Sequence, residues 1–114
     1  MGVPGNFEVG TQRIDGALIV APKGEIDLAT VDLVREAVER EHAGEDVVLD
    51  FRDVGFMDTS GLRYVLELND RAPREDFELR LVRGPRAVQR VFEVSGLEPR
   101  LTFVDAPGES PAAE

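Results

Sequence analysis

Cysteine is absent from the 114 residues, and lysine and histidine occur once each, as Lys23 and His42. Without cysteine there is no thiol nucleophile, no disulfide framework and no thiolate metal ligand, a composition that suits a reducing compartment. Basic residues are the scarce charge: 13 Lys and Arg stand against 23 Asp and Glu, for a formal net charge of -10. A surface of that sign repels phosphate backbones and anionic lipid, so no direct nucleic-acid or membrane partner is expected. No apolar run approaches the roughly 20 residues of a membrane span. The start, Met1-Gly2-Val3-Pro4-Gly5-Asn6, has neither the charged-then-apolar layout of a secretory signal nor the hydroxyl residue of a myristoylation motif. The expected location is cytoplasmic.

What is present, 42% hydrophobic and 32% charged residues, describes one globular domain large enough to bury a core without disulfide or metal. Residues 1–6 and 106–114 are rich in Gly, Pro and Ala, too poor in large apolar groups to offset their ordering entropy; flexible ends are expected around a domain over residues 7–105. Within it, Phe7 to Ile14 and Ala17 to Ala21 read as strands joined by a tight turn at Asp15-Gly16. Leu28, Val31, Val34 and Val38 then share a helical face that ends near His42-Ala43-Gly44. A strand from Val47 to Phe51 runs on through Phe56-Met57 to a second helix from about Ser60 to Arg71, with Leu62, Val65 and Leu66 inward and Ala72-Pro73 as its stop. Phe77, Leu79 and Leu81 alternate as a strand. Gly84-Pro85 opens a third helix carrying Val88, Val91 and Phe92, Gly96 closes it in the left-handed conformation, and Leu101 to Val104 form a last short strand. Strands alternating with helices imply an α/β fold with parallel pairs joined by right-handed crossovers.

The strand-to-helix junction Asp58-Thr59-Ser60-Gly61-Leu62 is where chemistry is expected. A hydroxyl at a helix N-terminus faces unsatisfied N–H groups and the positive end of the dipole, a field that suits a phosphoryl group, so Ser60 is a candidate phosphoswitch. The spacing equally fits a plain N-cap by Asp58, Thr59 or Ser60. Ser95-Gly96-Leu97 repeats the residues of Ser60-Gly61-Leu62 at a helix end, where that field is reversed.

Other constellations carry less. Asp27, Asp50, Asp53 and Asp58 gather near strand ends and invite a Mg²⁺ or acid–base site. An acidic chain collects carboxylates there without any metal, and Asp27 suits the N-cap of the first helix, so no metal or other cofactor is expected. Asp50 sits where a phosphoaspartate receiver places its aspartate, but such a receiver needs a late lysine, and Lys23 is early. Asp58-Thr59-Ser60-Gly61 differs from the aspartic-protease signature by an inserted residue and has no second copy. A serine hydrolase would depend on His42, which is expected on the solvated surface. Glycine-rich phosphate loops are missing. No catalytic residue is assigned, and the chain is read as no enzyme.

Three segments in order, Gly24-Glu25-Ile26-Asp27, Leu49-Asp50-Phe51 leading to Phe56-Met57-Asp58-Thr59-Ser60-Gly61-Leu62, and Arg90-Val91-Phe92-Glu93-Val94-Ser95-Gly96-Leu97, resemble the STAS family, most closely its stand-alone anti-sigma factor antagonists. The resemblance covers about residues 7–105. It implies a single domain with a mixed four- or five-stranded sheet packed with helices. It also implies partner switching: the unphosphorylated protein binds an anti-sigma factor that is a serine kinase, frees the sigma factor, and is released when phosphorylated, with a serine phosphatase to reset it. The accepted residue is the one before glycine, Ser60. Asp27 and Asp58 match acidic positions flanking it, and Thr59, Gly61 and Arg63 complete the implied partner face. A STAS scaffold or subunit of a larger signalling or transport complex, working without phosphorylation, is the rival that this resemblance leaves open.

Overall fold

The computed structural model describes residues 6–109. Its elements are β1 (Glu8–Ile14), β2 (Ala17–Ile26), α1 (Val31–Glu41), β3 (Val47–Asp50), β4 (Val54–Met57), α2 (Thr59–Arg74), β5 (Leu79–Val82), α3 (Arg86–Ser95) and β6 (Phe103–Val104), with a 3₁₀ turn at Glu98–Arg100 between the last two. The first hairpin turns where expected. Asp15 and Gly16 take φ of 50° and 82°, the positive pair that lets two right-twisted strands return on each other.

The sheet is mixed. Its path runs β1-β2-β3-β5-β6, with β1 antiparallel to β2 and every other pair parallel, and β4 lies off the path against β2. Long strand β2 makes this possible by pairing with β3 through Leu18–Val20 and with β4 through Gly24–Ile26. The run from Val47 to Met57 is therefore two short strands, broken after Asp50, not one. Gly55 is passed over in the register, which goes from Gly24↔Val54 to Glu25↔Phe56.

Alternation along the strands separates two apolar layers. Leu18, Val20, Val47, Leu49, Leu79 and Leu81 join Val34, Val38, Val65, Leu68, Val88 and Phe92 of the three helices in one core. The opposite face holds Ala17, Ile19, Val48, Val82 and Val104, all buried, with no helical residue among them. After β6 the chain turns back: the Glu109 N–H donates to the Ala106 carbonyl, and Gly108 lies against Ile14 of β1. Expected flexibility at residues 1–5 and 110–114 concerns positions outside the described residues.

Four local expectations need correction. Leu28 does not belong to the core face of α1; it is 80% exposed, because α1 begins only at Val31. The preceding turn is fixed by Thr30, whose hydroxyl donates to the Glu25 carbonyl, and by Asp27 Oδ1, which accepts from the Ala29 and Thr30 N–H groups. Asp27 thus caps that turn, and Thr30 occupies the N-cap of α1. Helix α2 does not stop at Ala72-Pro73. Pro73 sits inside its last turn, where a missing N–H forfeits one bond, and the Glu75 N–H still reaches the Arg71 carbonyl while buried Ala72 and Phe77 hold the end to the core. His42 is half-buried, its Nε2 at 2.7 Å from the Glu45 carbonyl and its ring edge-on to Phe77.

Helices α1 and α2 are cross-tied by Arg35–Glu67 and Arg71–Glu39, each at 2.5 Å. Between these pairs Tyr64 lies under the Arg35 guanidinium, 4.7 Å from its ring centroid. Its buried hydroxyl has no hydrogen-bond partner among the described residues, and burial pushes that phenol's pKa well above its ordinary value.

Candidate functional site

The register of β2 and β4 ends at Ile26↔Met57, and the Asp58 N–H bonds to the Ile26 carbonyl. Asp27 and Asp58 therefore leave the sheet side by side, each one residue beyond the last pair. Both are half-buried. Asp58 is the N-cap of α2, in extended conformation at φ -100°, ψ -169°, which resolves the choice among three capping residues. Its Oδ1 accepts the Ser60 N–H at 2.8 Å and the Ser60 hydroxyl at 2.5 Å. Its carbonyl accepts from the Gly61 and Leu62 N–H groups.

This arrangement changes the electrostatic expectation. The donors at the start of α2 do not wait for an anion: those of Ser60, Gly61 and Leu62 are already served by Asp58. The Ser60 hydroxyl hydrogen bond, helped by backbone N–H groups and opposed by partial burial, holds the Asp58 carboxyl below the usual carboxylate range. A phosphoryl group on Ser60 would meet this carboxylate rather than an open ring of donors.

Ser60 is half-exposed, Thr59 and Arg63 are exposed, and Arg63 makes no ion pair among the described residues. Gly61 is buried for a steric reason. An added Cβ there would fall 2.9 Å from Ile26 Cγ2 and closer still to Met57, so only glycine lets α2 start against the sheet. Beside Thr59 runs an open groove of about 460 Å³, lined by Leu62, Ala87, Arg90, Val91 and Val94. Val94 is 73% exposed, and with Leu28 and the half-exposed Phe56 it makes up the large apolar side chains left in solvent among the described residues. Sequence reasoning grouped Val91 with Val88 and Phe92 on α3, and Val91 does pack against the core, but the groove it also lines was missed; the signal was Val94, an apolar residue off the Val88–Phe92 stripe.

The other carboxylates disperse. Asp50 is buried and held by Arg52, whose Nε and Nη2 reach it at 3.0 and 2.8 Å. Asp27 and Asp53 line a cleft of about 620 Å³ together with Lys23. Among the described residues no group of three metal-ligating side chains comes together. His42 belongs to the α1 end of the fold and hydrogen-bonds there, so it does not serve Ser60.

The chain matches the STAS domain over residues 8–109. It is 32% identical over 96 residues to an anti-sigma F factor antagonist of Paenibacillus polymyxa, covering 81% of each chain. The crystal structure of an anti-sigma factor antagonist from Mycobacterium paratuberculosis superposes with a TM-score of 0.78 at 20% identity, covering 94% of this chain and 92% of that one. The anti-sigma factor antagonist SpoIIAA in its unphosphorylated form gives a TM-score of 0.66 at 22% identity, covering 86% of this chain and 87% of that one.

Proposed function

Because the chain belongs to the STAS domain family, we propose that it is an anti-sigma factor antagonist: unmodified, it binds an anti-sigma factor serine kinase and so frees a sigma factor, and phosphorylation of Ser60 ends the contact. The observation that carries this reading is the place of the Ser60 hydroxyl, half-exposed, bonded to the Asp58 carboxylate and next in the chain to Thr59, which lines the apolar groove. A relative named for antagonising an anti-sigma factor supports the partner class, and a fold shared with an antagonist described in its unphosphorylated form supports the modification.

The partner face comprises Asp27, Asp58, Thr59, Ser60 and Arg63, with buried Gly61 beneath it setting the start of α2, and is extended by Leu28 beside Asp27 and by Val94, which lines the groove with Thr59. Phosphorylation brings about -1.5 to -2 charges at neutral pH to this face. Asp58 occupies the N–H groups of Ser60, Gly61 and Leu62, so the new charge stays at the surface, three residues from Arg63, which makes no ion pair among the described residues. A partner packed over Ser60 would bury that charge without a counter-ion, a penalty of roughly 3 kcal/mol or about a hundredfold in affinity. The fold itself has no reason to rearrange. A serine phosphatase returns the protein to its binding form.

Affinity capture from the native cell with unmodified protein, followed by incubation with the captured kinase and Mg·ATP, tests this. One phosphate mapping to Ser60 is expected. Mapping to Ser95 or Ser110 refutes the site, and capture of a larger assembly without a kinase favours the scaffold reading.

A further inference from the structure

Two adjacent hydroxyls, Thr59 and Ser60, open α2, and a serine/threonine kinase could address either. Their surroundings differ. Thr59 is exposed, and its hydroxyl forms no hydrogen bond with the described residues, whereas the Ser60 hydroxyl donates to Asp58 Oδ1 at 2.5 Å. That oxygen also accepts the Ser60 N–H at 2.8 Å, so the carboxylate is anchored to the backbone and the hydroxyl to the carboxylate.

On the premise that Ser60 is the phosphorylation site, we propose that Asp58 makes Ser60 rather than Thr59 the phosphoryl acceptor, by orienting the Ser60 hydroxyl and taking its proton during transfer. With its hydrogen directed at Asp58, the serine oxygen turns its lone pairs away from the carboxylate, available to an incoming phosphorus. Ser60 Oγ then bonds to the γ-phosphorus of the nucleoside triphosphate held by the kinase. The bond from that phosphorus to the bridging oxygen breaks, and its electron pair leaves on the nucleoside diphosphate. The hydroxyl proton passes to Asp58 Oδ1 and from there to water.

A carboxylate this weakly basic takes the proton late, once bonding to phosphorus has made the serine oxygen acidic. Thr59 has no such acceptor in contact, so its hydroxyl enters the reaction neither oriented nor relieved of its proton. After transfer the ester oxygen has no hydrogen for Asp58, and the bond that selected the site is gone.

Asp58→Asn keeps an oxygen that can cap the Ser60 N–H but takes no proton; Asp58→Ser caps through a neutral hydroxyl. Steady-state phosphorylation by the captured kinase with Mg·ATP should show kcat falling on the order of a hundredfold in both variants, a loss separate from any rise in KM that removing a partner-face carboxylate brings. The residual phosphate should divide between Thr59 and Ser60, while wild type carries it on Ser60 alone. Amide resonances of residues 61–66 report the helix start, and Asp58→Ser decides if they show fraying in Asp58→Asn. Unchanged kcat with phosphate only on Ser60 overturns the proposal. So does a loss confined to KM, which would make Asp58 a docking contact only. Wild-type protein phosphorylated at neither residue would instead sink the premise, whatever the variants do.

Discussion

Gly61 and Met57 meet with no room for another atom between them: a methyl group on Gly61 would lie 2.5 Å from Met57 Cγ and 2.8 Å from its sulfur. Met57 is 2% exposed and cannot swing into solvent. Gly61→Ala gains about 1 kcal/mol of helix propensity but incurs an overpacking cost of about 1–3 kcal/mol. A net destabilisation of about 1 kcal/mol is expected in urea unfolding, and a variant more stable than wild type would show that Met57 gives way.

Ser60→Asp places one carboxylate where the phosphoryl group would stand. Affinity for the captured kinase, measured by calorimetry, should fall at least tenfold, less than the roughly hundredfold expected for phosphate because a single carboxylate carries less charge. Ser60→Ala should bind as wild type and resist modification. Equal affinity of the Asp variant and wild type counts against electrostatic exclusion.

Leu28 and Val94 are 80% and 73% exposed and contribute little to the core. Leu28→Ser and Val94→Ser should each leave stability within about 0.5 kcal/mol. Each should weaken kinase binding by about 1–2 kcal/mol, five- to thirtyfold, if the side chain is buried on docking. Loss of stability with unchanged binding would remove these residues from the partner face.

Tyr64→Phe deletes a buried hydroxyl that has no acceptor among the described residues while keeping the ring beneath Arg35. The variant should be as stable as wild type or more so, by up to about 1 kcal/mol, in thermal unfolding. A loss beyond about 1 kcal/mol would mean that the hydroxyl is satisfied in solution.

Glu45 accepts the Ala43 N–H at 2.6 Å and pairs with Arg13 at 2.7 Å. Chiefly the backbone N–H groups of Ala43 and Glu45 lower its pKa to about 2. Since the folded value lies below the unfolded one, this group stabilises the fold fully above the ordinary carboxylate range, and the contribution disappears as pH falls toward 2. Glu45→Gln should therefore cost on the order of 1 kcal/mol at pH 7 after solvent screening, a cost that shrinks through about pH 2 and is gone below it. A variant whose acid unfolding curve parallels wild type throughout would contradict that.

Features set by neighbouring residues were legible in the sequence. Asp15-Gly16 and Gly96 announce their backbone angles, and the apolar spacing of Val88 and Phe92 announces a helix face. Features set across the fold were not. The four residues of β4 become a strand only by pairing with the far end of β2, and two of them, Gly55 and Phe56, are exposed, so no alternation marks them. Leu28 extends the spacing of Val31 and Val34 backwards, but the bonds of Asp27 and Thr30 forbid helix there. At the site, spacing identified a capped helix start carrying a hydroxyl. That one carboxylate oxygen would take both the N–H and the hydroxyl of Ser60 depends on the Asp58 rotamer, which spacing does not encode.

Only Asp58 separates the last residue of β4 from the first residue of α2. A connection that short has no slack: it cannot hinge, and nothing done to the second residue of the helix is relayed elsewhere as motion. Such a junction acts as a stamp and not as a lever, legible only to a molecule that touches it.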